Sequence, residues 1–380
     1  MLQPADSEFP QQADISYLKH AAVSPWPTRT AEANTRFSRE NQHLGASHNP
    51  EWLEVEQRLR ERLARLIGAD SASDIALLKN TSEALSVVAH GIHWQAGENI
   101  VGIHHDFPSN RIVWESLADQ QVSFKPVDIL STDLPEQALM EACDQHTRLL
   151  AVSSVHYATG LRLDLEVLGK FCEQRQILFC VDAIQSLGVI PFDLKRIKAD
   201  FVAADGHKWM LGPEGLALFY CRPELREQLE LHQFGWHMLE SPNDFDRLEW
   251  RASHTATRFE CGSANMLGIH GLEASLSLLE QLGQGNILMQ TINNIFYLID
   301  LLNNIDSVEI ISRIDSRERL SGILNFRVVG RDSGQIHSQL MQHKVVCACR
   351  GGGIRFSPHF YTSNAQMDRA CQVLGQLIEA

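Results

Sequence analysis

Residues 203–215 read AADGHKWMLGPEG and place one lysine, Lys208, in a turn punctuated by glycine and proline. The turn directly follows residues 201–203, an apolar segment typical of a strand. A lysine that its neighbours desolvate loses its proton easily and can then form a Schiff base. We therefore interpret Lys208 as a reactive amine rather than as a solubilising surface charge.

An acidic residue ends another apolar segment upstream of this turn. Residues 179–185 read FCVDAIQ, so that Asp182 follows a predicted strand. A lysine for an aldehyde and a carboxylate for a pyridinium nitrogen are the two groups that pyridoxal 5'-phosphate (PLP) requires. Taken alone, Asp182 is equally explained as a turn residue or a helix cap, and Lys208 as a surface lysine.

Composition excludes several classes of protein. The chain has 380 residues, of which 44% are hydrophobic and 21% charged, as in ordinary globular proteins with two or three domains. Its net charge of −14 argues against nucleic acid or an anionic membrane as a partner. It has no apolar run long enough to cross a membrane, and residues 1–8 are polar and acidic rather than signal-like, so we expect a cytoplasmic protein.

The eight cysteines are scattered and form no C-x-x-C pair, which is typical of buried thiols in a reducing compartment. Cys347 and Cys349 alternate along a predicted strand and should point to opposite faces. No metal site is predicted from them.

Predicted strands and helices alternate over much of the chain. The strands are continuously apolar, which indicates an α/β fold with a mostly parallel sheet covered by helices on both faces. The predicted strands are residues 74–78, 100–103, 149–153, 177–181, 201–203 and 216–219.

The pattern changes after residue 255, where two helical stretches precede strands at residues 323–328 and 345–349 and a closing helix. This order indicates a smaller α+β domain. We expect three regions: an N-terminal segment (1–20) that packs on the small domain, a large cofactor-binding domain (21–255) and the small domain (256–380).

Two further features lie just beyond predicted strands. Thr81 and Ser82 open a helix, where free N–H groups and the helix dipole favour an anion, although for this pair alone a simple helix cap is the default explanation. Phe107, within the DFPSN of residues 106–110, is by default a core aromatic. The order of phosphate turn, aromatic, acid and lysine, each beyond the carboxyl end of a strand, predicts one shared ligand site.

With these motifs the chain resembles the fold-type I PLP enzymes of the class V aminotransferase group, which includes cysteine desulfurases, isopenicillin N epimerase-like proteins and kynureninases. Residues 182–185 (DAIQ) match the D-A-x-Q element of the group, and residues 206–208 (GHK) match its G-H-K element. The resemblance runs from about Tyr17 to the C-terminus.

The resemblance implies a role for each residue around the PLP ring. Lys208 would form the aldimine with PLP and later move protons, and Asp182 would pair with the pyridine nitrogen. Gln185 would bind the ring hydroxyl. Phe107 would stack on the ring where desulfurases carry a histidine, and Tyr157 would lie near it as a polar group.

The resemblance also implies how the phosphate is bound. Thr81, Ser82 and His207 would hold it within one subunit. Residues 258–265 (RFECGSAN) match the R-F-E-x-G-[ST] element, so that Ser263 would reach the phosphate of the other subunit. This implies a homodimer with shared active sites, whereas a simple turn before the next helix is the alternative.

The implied substrate is a small free α-amino acid. Arg355, in residues 351–359 (GGGIRFSPH), matches the arginine that clamps the substrate α-carboxylate, a task that suits a bidentate guanidinium. Arg350 is the weaker candidate for this contact.

Two departures from the group bear on the reaction. Asp205 directly precedes the G-H-K element, and a carboxylate there would repel a phosphate, so we expect it to point elsewhere or to meet an arginine or a water. Desulfurases carry a mobile cysteine loop ahead of the carboxylate arginine. Here Cys347 and Cys349 are followed at once by Arg350 and glycines, which leaves no room for that loop and disfavours sulfur capture as a persulfide.

Three outcomes remain open after removal of the Cα proton: transamination, epimerisation, or β-elimination including C–S cleavage of cysteine or cystine. The resemblance favours transamination. A non-catalytic binding protein with this fold is a rival, against which the intact Lys208, Asp182 and Gln185 argue. A dinucleotide-dependent oxidoreductase lacks support because no G-x-G-x-x-G follows the first strand. The irregular, aromatic residues 234–254 are interpreted as a lid or substrate loop.

Overall fold

The computed structural model describes residues 5–10, 12 and 14–379, without the side chains of residues 5 and 6. Residues 1–4, 11 and 13 of the expected N-terminal segment lie outside the described residues. The helices are α1 Ala5–Glu8, α2 Thr28–Leu44, α3 Asn49–Ile67, α4 Thr81–Gly91, α5 Ser109–Glu115, α6 Pro135–Ala142, α7 Leu165–Arg175, α8 Leu194–Ile197, α9 Met266–Leu282, α10 Gln284–Asn303, α11 Ser333–Gln342 and α12 Asn364–Glu379.

The strands are β1 Ser16–Tyr17, β2 Ile75–Leu78, β3 Asn99–Ile103, β4 Ser123–Val127, β5 Thr147–Ser153, β6 Leu178–Asp182, β7 Phe201–Asp205, β8 Ala217–Cys221, β9 Val308–Ile310, β10 Leu324–Val328, β11 Val345–Val346, β12 Ala348–Arg350 and β13 Gly353–Phe356. Short 3₁₀ helices span Ala72–Asp74, Ala118–Gln120, Pro223–Gln228, Ala256–Phe259 and Arg317–Arg319.

The central sheet has seven strands in the order β2-β8-β7-β6-β5-β3-β4, in which β8 runs opposite to the other six strands. Its inner strands are buried on both faces, between one apolar cluster that includes α3 and α9 and another that includes α4 and α5. The predicted mostly parallel α/β sheet is therefore confirmed.

The edge strand β4 was not predicted. Its sequence, SFKPV, is only partly buried and contains a proline, which an edge strand tolerates because one side of it needs no ladder hydrogen bond. Such a segment lacks the continuous apolar run that identified the inner strands.

The sequence also explains where α3 begins and ends. Pro50 occupies the first turn, where its missing N–H costs nothing, and Gly68 caps the C-terminus at φ 75°, in the left-handed region that glycine adopts easily.

The C-terminal part has an antiparallel sheet in the order β12-β13-β10-β9, which packs with α10, α11 and α12 around its own apolar cluster. Strand β1 pairs in parallel with β11, so the N-terminal segment lies on this part. The predicted strand at residues 345–349 is two short strands interrupted at Cys347.

Helix α9 contributes buried side chains to the apolar cluster of the large sheet, packing against α2 and α3. The three regions expected from the sequence, with their boundaries near residues 20 and 255, stay a prediction.

The strand order fixes where side chains converge. Ser153, Asp182 and Ala203 are paired in register on β5, β6 and β7. Because the carboxyl ends of parallel strands meet at one edge, residues there share a crevice. Within the described ranges, no helix combines the length and apolar character needed to cross a membrane.

Candidate active site

A cavity of about 320 Å³ lies at the carboxyl edge of the central sheet, within the size range of small-molecule sites. All but one of the predicted site residues line it: Thr81, Ser82, Phe107, Tyr157, Asp182, Gln185, His207, Lys208, Arg350 and Arg355. A larger groove of about 770 Å³ beside α7 and α8 contains none of them.

Lys208 is the buried amine of this cavity. It is only 9% exposed, and in the described part of the chain its Nζ forms neither a hydrogen bond nor an ion pair. Burial lowers the pKa of Lys208 to about 8, although the nearby carboxylate of Asp182 opposes the shift. The ring centroid of Phe107 lies 5.6 Å from Nζ. An amine of this kind is available as a nucleophile near neutral pH.

Asp182 is buried at the end of β6. Its Oδ1 accepts the N–H of Ile184 at 3.0 Å, and its Oδ2 accepts the side-chain amide of Asn110 at 2.7 Å. Burial raises the pKa of Asp182, while these two hydrogen bonds hold it down. The carboxylate is thus fixed in orientation and faces the cavity as an acceptor.

Three residues that the sequence did not single out complete this arrangement. Asn110 also donates to Ser153 Oγ at 3.2 Å, and the Ser153 hydroxyl donates to Asp106 Oδ2 at 2.6 Å. Burial raises the pKa of Asp106 to about 7. The signal that could have identified Ser153 is its position as the last residue of β5, directly opposite Asp182.

The side-chain amide of Gln185 joins three segments. Its Oε1 accepts the indole N–H of Trp209 at 2.9 Å, and its Nε2 donates to the carbonyl of Ala21 at 3.1 Å. The second hydrogen on Nε2 stays available toward the cavity.

The N-terminus of α4 faces the same cavity. Asn80 caps it by accepting the N–H of Glu83, and no partner within the described residues is found for the N–H groups of Thr81 and Ser82. The Thr81 hydroxyl accepts the N–H of Asp205 at 3.1 Å. These free N–H groups and the helix dipole form an anion site.

Asp205 also lines the cavity, so the expectation that its side chain points elsewhere is wrong. The strand β7 runs two residues further than predicted, and alternation places Asp205 on the same face as Phe201 and Ala203, which α4 covers. Asp205 Oδ1 lies 2.9 Å from His207 Nδ1, but the two are not aligned as a hydrogen bond, so both atoms are buried without one. The side chain next to the Asp205 carboxylate is thus a histidine, whereas an arginine or a water was expected.

Arg355 lies on β13 and is 3% exposed. Its Nη1 donates to the carbonyl of Tyr157 at 2.6 Å, whereas its buried Nε has no hydrogen-bond partner within the described residues. Burial lowers the pKa of Arg355 to about 10, with Arg350 adding a like charge. Arg350 is exposed, and its Nη1 donates to the carbonyl of the neighbouring Cys349. A buried guanidinium with an unused donor is ready for a carboxylate.

The segment ahead of Arg355 is a tight hairpin. Gly351 and Gly352 join β12 to β13 with φ of 54° and 77°. Cys347 is fully buried, Cys349 is half-buried, and none of the described cysteines lines the cavity.

Ser263 is exposed and lies outside the cavity of its own chain. Residues 234–254 form an irregular segment with several exposed large side chains, and none of these residues lines the cavity. The exposed side chains are Phe234, Trp236, Phe245, Leu248 and Trp250.

Comparisons with known proteins identify the family of this chain. Residues 16–369 match the family model described as aminotransferase class-V. The chain is 28% identical to the probable cysteine desulfurase of Methanothermobacter thermautotrophicus, over 98% of this chain and 96% of that protein. It is 29% identical to the uncharacterized aminotransferase YcbU of Bacillus subtilis, over 84% of this chain and 83% of that protein.

Solved structures show the same architecture. The apo structure of cysteine desulfurase from Thermococcus onnurineus NA1 superposes with a TM-score of 0.89 at 25% identity, covering 100% of this chain and 99% of that one. A complex between the cystine C–S lyase C-DES and its reaction product cysteine persulfide superposes with a TM-score of 0.90 at 22% identity, covering 97% and 99%. The second likeness concerns the fold alone.

The chain belongs to the class V aminotransferase family. It is therefore a fold-type I enzyme that depends on PLP, as the sequence predicted. The residues present fit this cofactor, since an unpaired buried amine, a buried carboxylate and the free N–H groups of α4 all reach one cavity.

Proposed function

We propose that this enzyme binds cysteine or cystine as a free amino acid and cleaves its C–S bond by β-elimination. The observation that carries the proposal is a cavity that combines the unpaired amine of Lys208 with the buried guanidinium of Arg355 and has no cysteine among its described lining residues. The relatives named as desulfurases support a sulfur-containing substrate. Because none of the described lining residues is a cysteine, the cavity supports a mechanism that forms no persulfide on the protein.

PLP, when bound, withdraws electrons from the substrate Cα and makes its proton acidic. Lys208 would hold the cofactor covalently, and its amine would then take the proton from Cα. Arg355 would bind the α-carboxylate and so place the Cα–H bond toward Lys208 Nζ. Asp182 would accept a hydrogen bond from the protonated pyridine nitrogen.

The remaining residues would orient the cofactor. Gln185 would use its second Nε2 hydrogen for the ring hydroxyl, and Phe107 and Tyr157, whose rings meet edge to face at 5.5 Å, would contact the ring. The N–H groups and hydroxyls of Thr81 and Ser82 would bind the phosphate.

His207 would donate to the phosphate from its place beside Asp205. Its Nδ1 lies 2.9 Å from Asp205 Oδ1, so the imidazole is held next to that carboxylate at the edge of the cavity.

The proposed elimination breaks two bonds of the substrate, Cα–H and Cβ–S, and forms a Cα=Cβ double bond. The Cα proton passes to Lys208 Nζ, the Cβ–S bond breaks, and its electron pair leaves on sulfur. With cysteine, the net reaction consumes one water and yields pyruvate, ammonia and hydrogen sulfide. With cystine, the sulfur product is cysteine persulfide instead of hydrogen sulfide.

Transamination is the second candidate, supported by the relative named as an uncharacterized aminotransferase. It uses the same amine and the same carboxylate clamp, and differs in returning the proton to the cofactor side. It requires a keto acid as amino acceptor, which elimination does not.

The deciding experiment incubates the purified holoenzyme with cysteine, cystine and other amino acids. Equal amounts of pyruvate, ammonia and sulfide without an added keto acid are expected from cysteine. Alanine in place of pyruvate would contradict the proposal and indicate desulfuration, and a dependence on keto acid would indicate transamination. Lys208→Ala should abolish turnover, whereas Cys349→Ser and Cys261→Ser should leave it unchanged.

We further propose a homodimer in which Ser263 completes the phosphate site of the partner subunit. Its support is that Ser263 is exposed and does not line the cavity of its own chain. A heterodimer of one Lys208→Ala subunit and one Ser263→Ala subunit has one fully equipped site under this proposal. We expect it to bind PLP more tightly than the Ser263→Ala homodimer, and equal affinities would exclude sharing.

The proposed location is the cytoplasm, supported by the fact that all eight cysteines are free thiols.

A further inference from the structure

Asp106 is a buried carboxyl group to which the proposed function gives no role. It is 6% exposed and follows a tight turn in which His105 adopts φ 61°. No cation in the described part of the chain forms an ion pair with it. Its oxygens instead accept the N–H of Phe107 at 2.7 Å and the hydroxyl of Ser153 at 2.6 Å.

The bond to Asp106 decides what Ser153 can offer to its other neighbour. A serine hydroxyl has one hydrogen, and Ser153 uses it on Asp106. Toward Asn110, 3.2 Å away, Ser153 therefore presents only lone pairs. Asn110 must turn its NH₂ group to Ser153, and the same nitrogen donates to Asp182 Oδ2 at 2.7 Å.

The opposite orientation of the Asn110 amide is unfavourable. A rotation by half a turn would place its carbonyl oxygen against Asp182 Oδ2 and against the lone pairs of Ser153. Two buried acceptor–acceptor contacts would replace two hydrogen bonds, and unsatisfied buried polar groups are costly. The direction of the hydrogen bonds along Asp106, Ser153, Asn110 and Asp182 therefore depends on an acceptor at the outer end, which Asp106 supplies in its ionised form.

We propose that Asp106 is a positioning residue for Asp182. By fixing the donor direction of Ser153 and Asn110, it aims a hydrogen bond at Asp182 and keeps that residue an ionised acceptor for the pyridinium nitrogen of PLP. This inference rests on the proposed role of Asp182. Asp106 itself does not line the cavity and acts only through its neighbours.

The main test is Asp106→Asn in the holoenzyme reconstituted with PLP that carries ¹⁵N in its ring. The substitution keeps the shape of the side chain but sets an amide N–H against Ser153. The serine hydroxyl is then free to donate to Asn110, which reverses the direction of these hydrogen bonds. We expect the ¹⁵N resonance to move toward that of an unprotonated pyridine. We also expect the Kd for PLP to rise about tenfold, the order seen when outer hydrogen-bond partners of a ligand-binding group are lost.

Variants of the middle residue separate direction from packing. Ser153→Ala removes the hydroxyl and should shift the ¹⁵N resonance in the same direction, whereas Ser153→Thr keeps the hydroxyl and should preserve the wild-type resonance. Asp200→Asn is the matched control, because Asp200 is also a buried acid, accepting the N–H of Phe179 at 2.8 Å and pairing with Arg222 before β7 begins. It should lower thermal stability without moving the resonance.

A folded Asp106→Asn variant with the wild-type ¹⁵N resonance and Kd would overturn the inference. If that variant does not fold, identical resonances in Ser153→Ala and Ser153→Thr would overturn it instead. A wild-type protein that binds PLP with an unprotonated pyridine nitrogen would refute the proposed role of Asp182, and the inference would fall with it.

Discussion

The indole N–H of Trp209 donates to Gln185 Oε1 at 2.9 Å and thereby joins the two sequence motifs that define the site. Trp209 directly follows Lys208 and is fully buried, so the bond sets the distance between the lysine turn and the segment that carries Asp182. Two elements separated along the chain thus present their reactive groups to one cavity.

Trp209→Phe should weaken PLP binding as well as the fold. The substitution leaves Gln185 Oε1 buried without its donor, at a cost of about 1–3 kcal/mol in the free energy of unfolding, and lets Gln185 turn away from the ring hydroxyl. We expect a lower thermal midpoint and a Kd for PLP raised severalfold, measured by fluorescence titration. Trp94→Phe loses a comparable bond, to the carbonyl of Ala89, and should change stability alone.

The rate of PLP capture by the apoprotein should depend on pH in a way that reports on Lys208. Only the neutral amine attacks the aldehyde, and burial lowers the pKa of Lys208 to about 8. The rate should therefore rise about tenfold per pH unit up to about pH 8 and then level off. Stopped-flow absorbance checks this, and a rise that continues to pH 10 would show an ordinary exposed lysine.

Arg355→Lys should raise the KM for the amino acid about a hundredfold, because a bidentate contact to the carboxylate becomes a single one. The Kd for PLP should stay unchanged, since the predicted contact is with the substrate. Arg350→Lys, at an exposed position, should raise KM only a few-fold. Equal effects of the two substitutions in steady-state kinetics would refute the assignment of Arg355.

Glu260→Ala should destabilise the protein by about 3 kcal/mol. Glu260 accepts hydrogen bonds from both Nη atoms of the buried Arg60, at 2.6 and 2.8 Å, and from the N–H of Leu77. Its loss therefore leaves the positive charge of Arg60 buried and poorly compensated. Chemical denaturation of the apoprotein measures the change. Glu54→Ala, whose side chain is 73% exposed on the same helix as Arg60, should change stability by less than about 0.5 kcal/mol.

Gly188→Ala should lower both stability and PLP affinity. Gly188 has φ 103°, and an added Cβ would lie 2.2 Å from the carbonyl oxygen of Trp209, so the segment next to Lys208 must move. Gly285→Ala, a helical position with open space around the added carbon, should be neutral or slightly stabilising. Thermal shift and PLP titration distinguish the two, and equal outcomes would show that the close approach has no effect on the site.

The sequence alone predicted the α/β sheet and the residues of one cavity, because continuous apolar runs identify buried parallel strands and because the polar residues beyond their carboxyl ends are local features. Lys208, Asp182 and Thr81 were recognisable from such neighbourhoods, whereas Arg355 followed from the resemblance to the class V aminotransferase group. The role of Glu260 could not be recognised from its neighbours in sequence, because its partner Arg60 lies 200 residues away in the chain.

Only the tertiary structure placed Asp205 against His207 and joined Asp106 to Asp182 through two other side chains. Hydrogen-bond direction and burial depend on groups that several strands and helices bring together, and no local pattern encodes them. The sequence thus determined the family and the cofactor, and it predicted Lys208 as the lysine that would react with the cofactor. The fold decided how that lysine is desolvated and which buried groups orient the carboxylate that faces it.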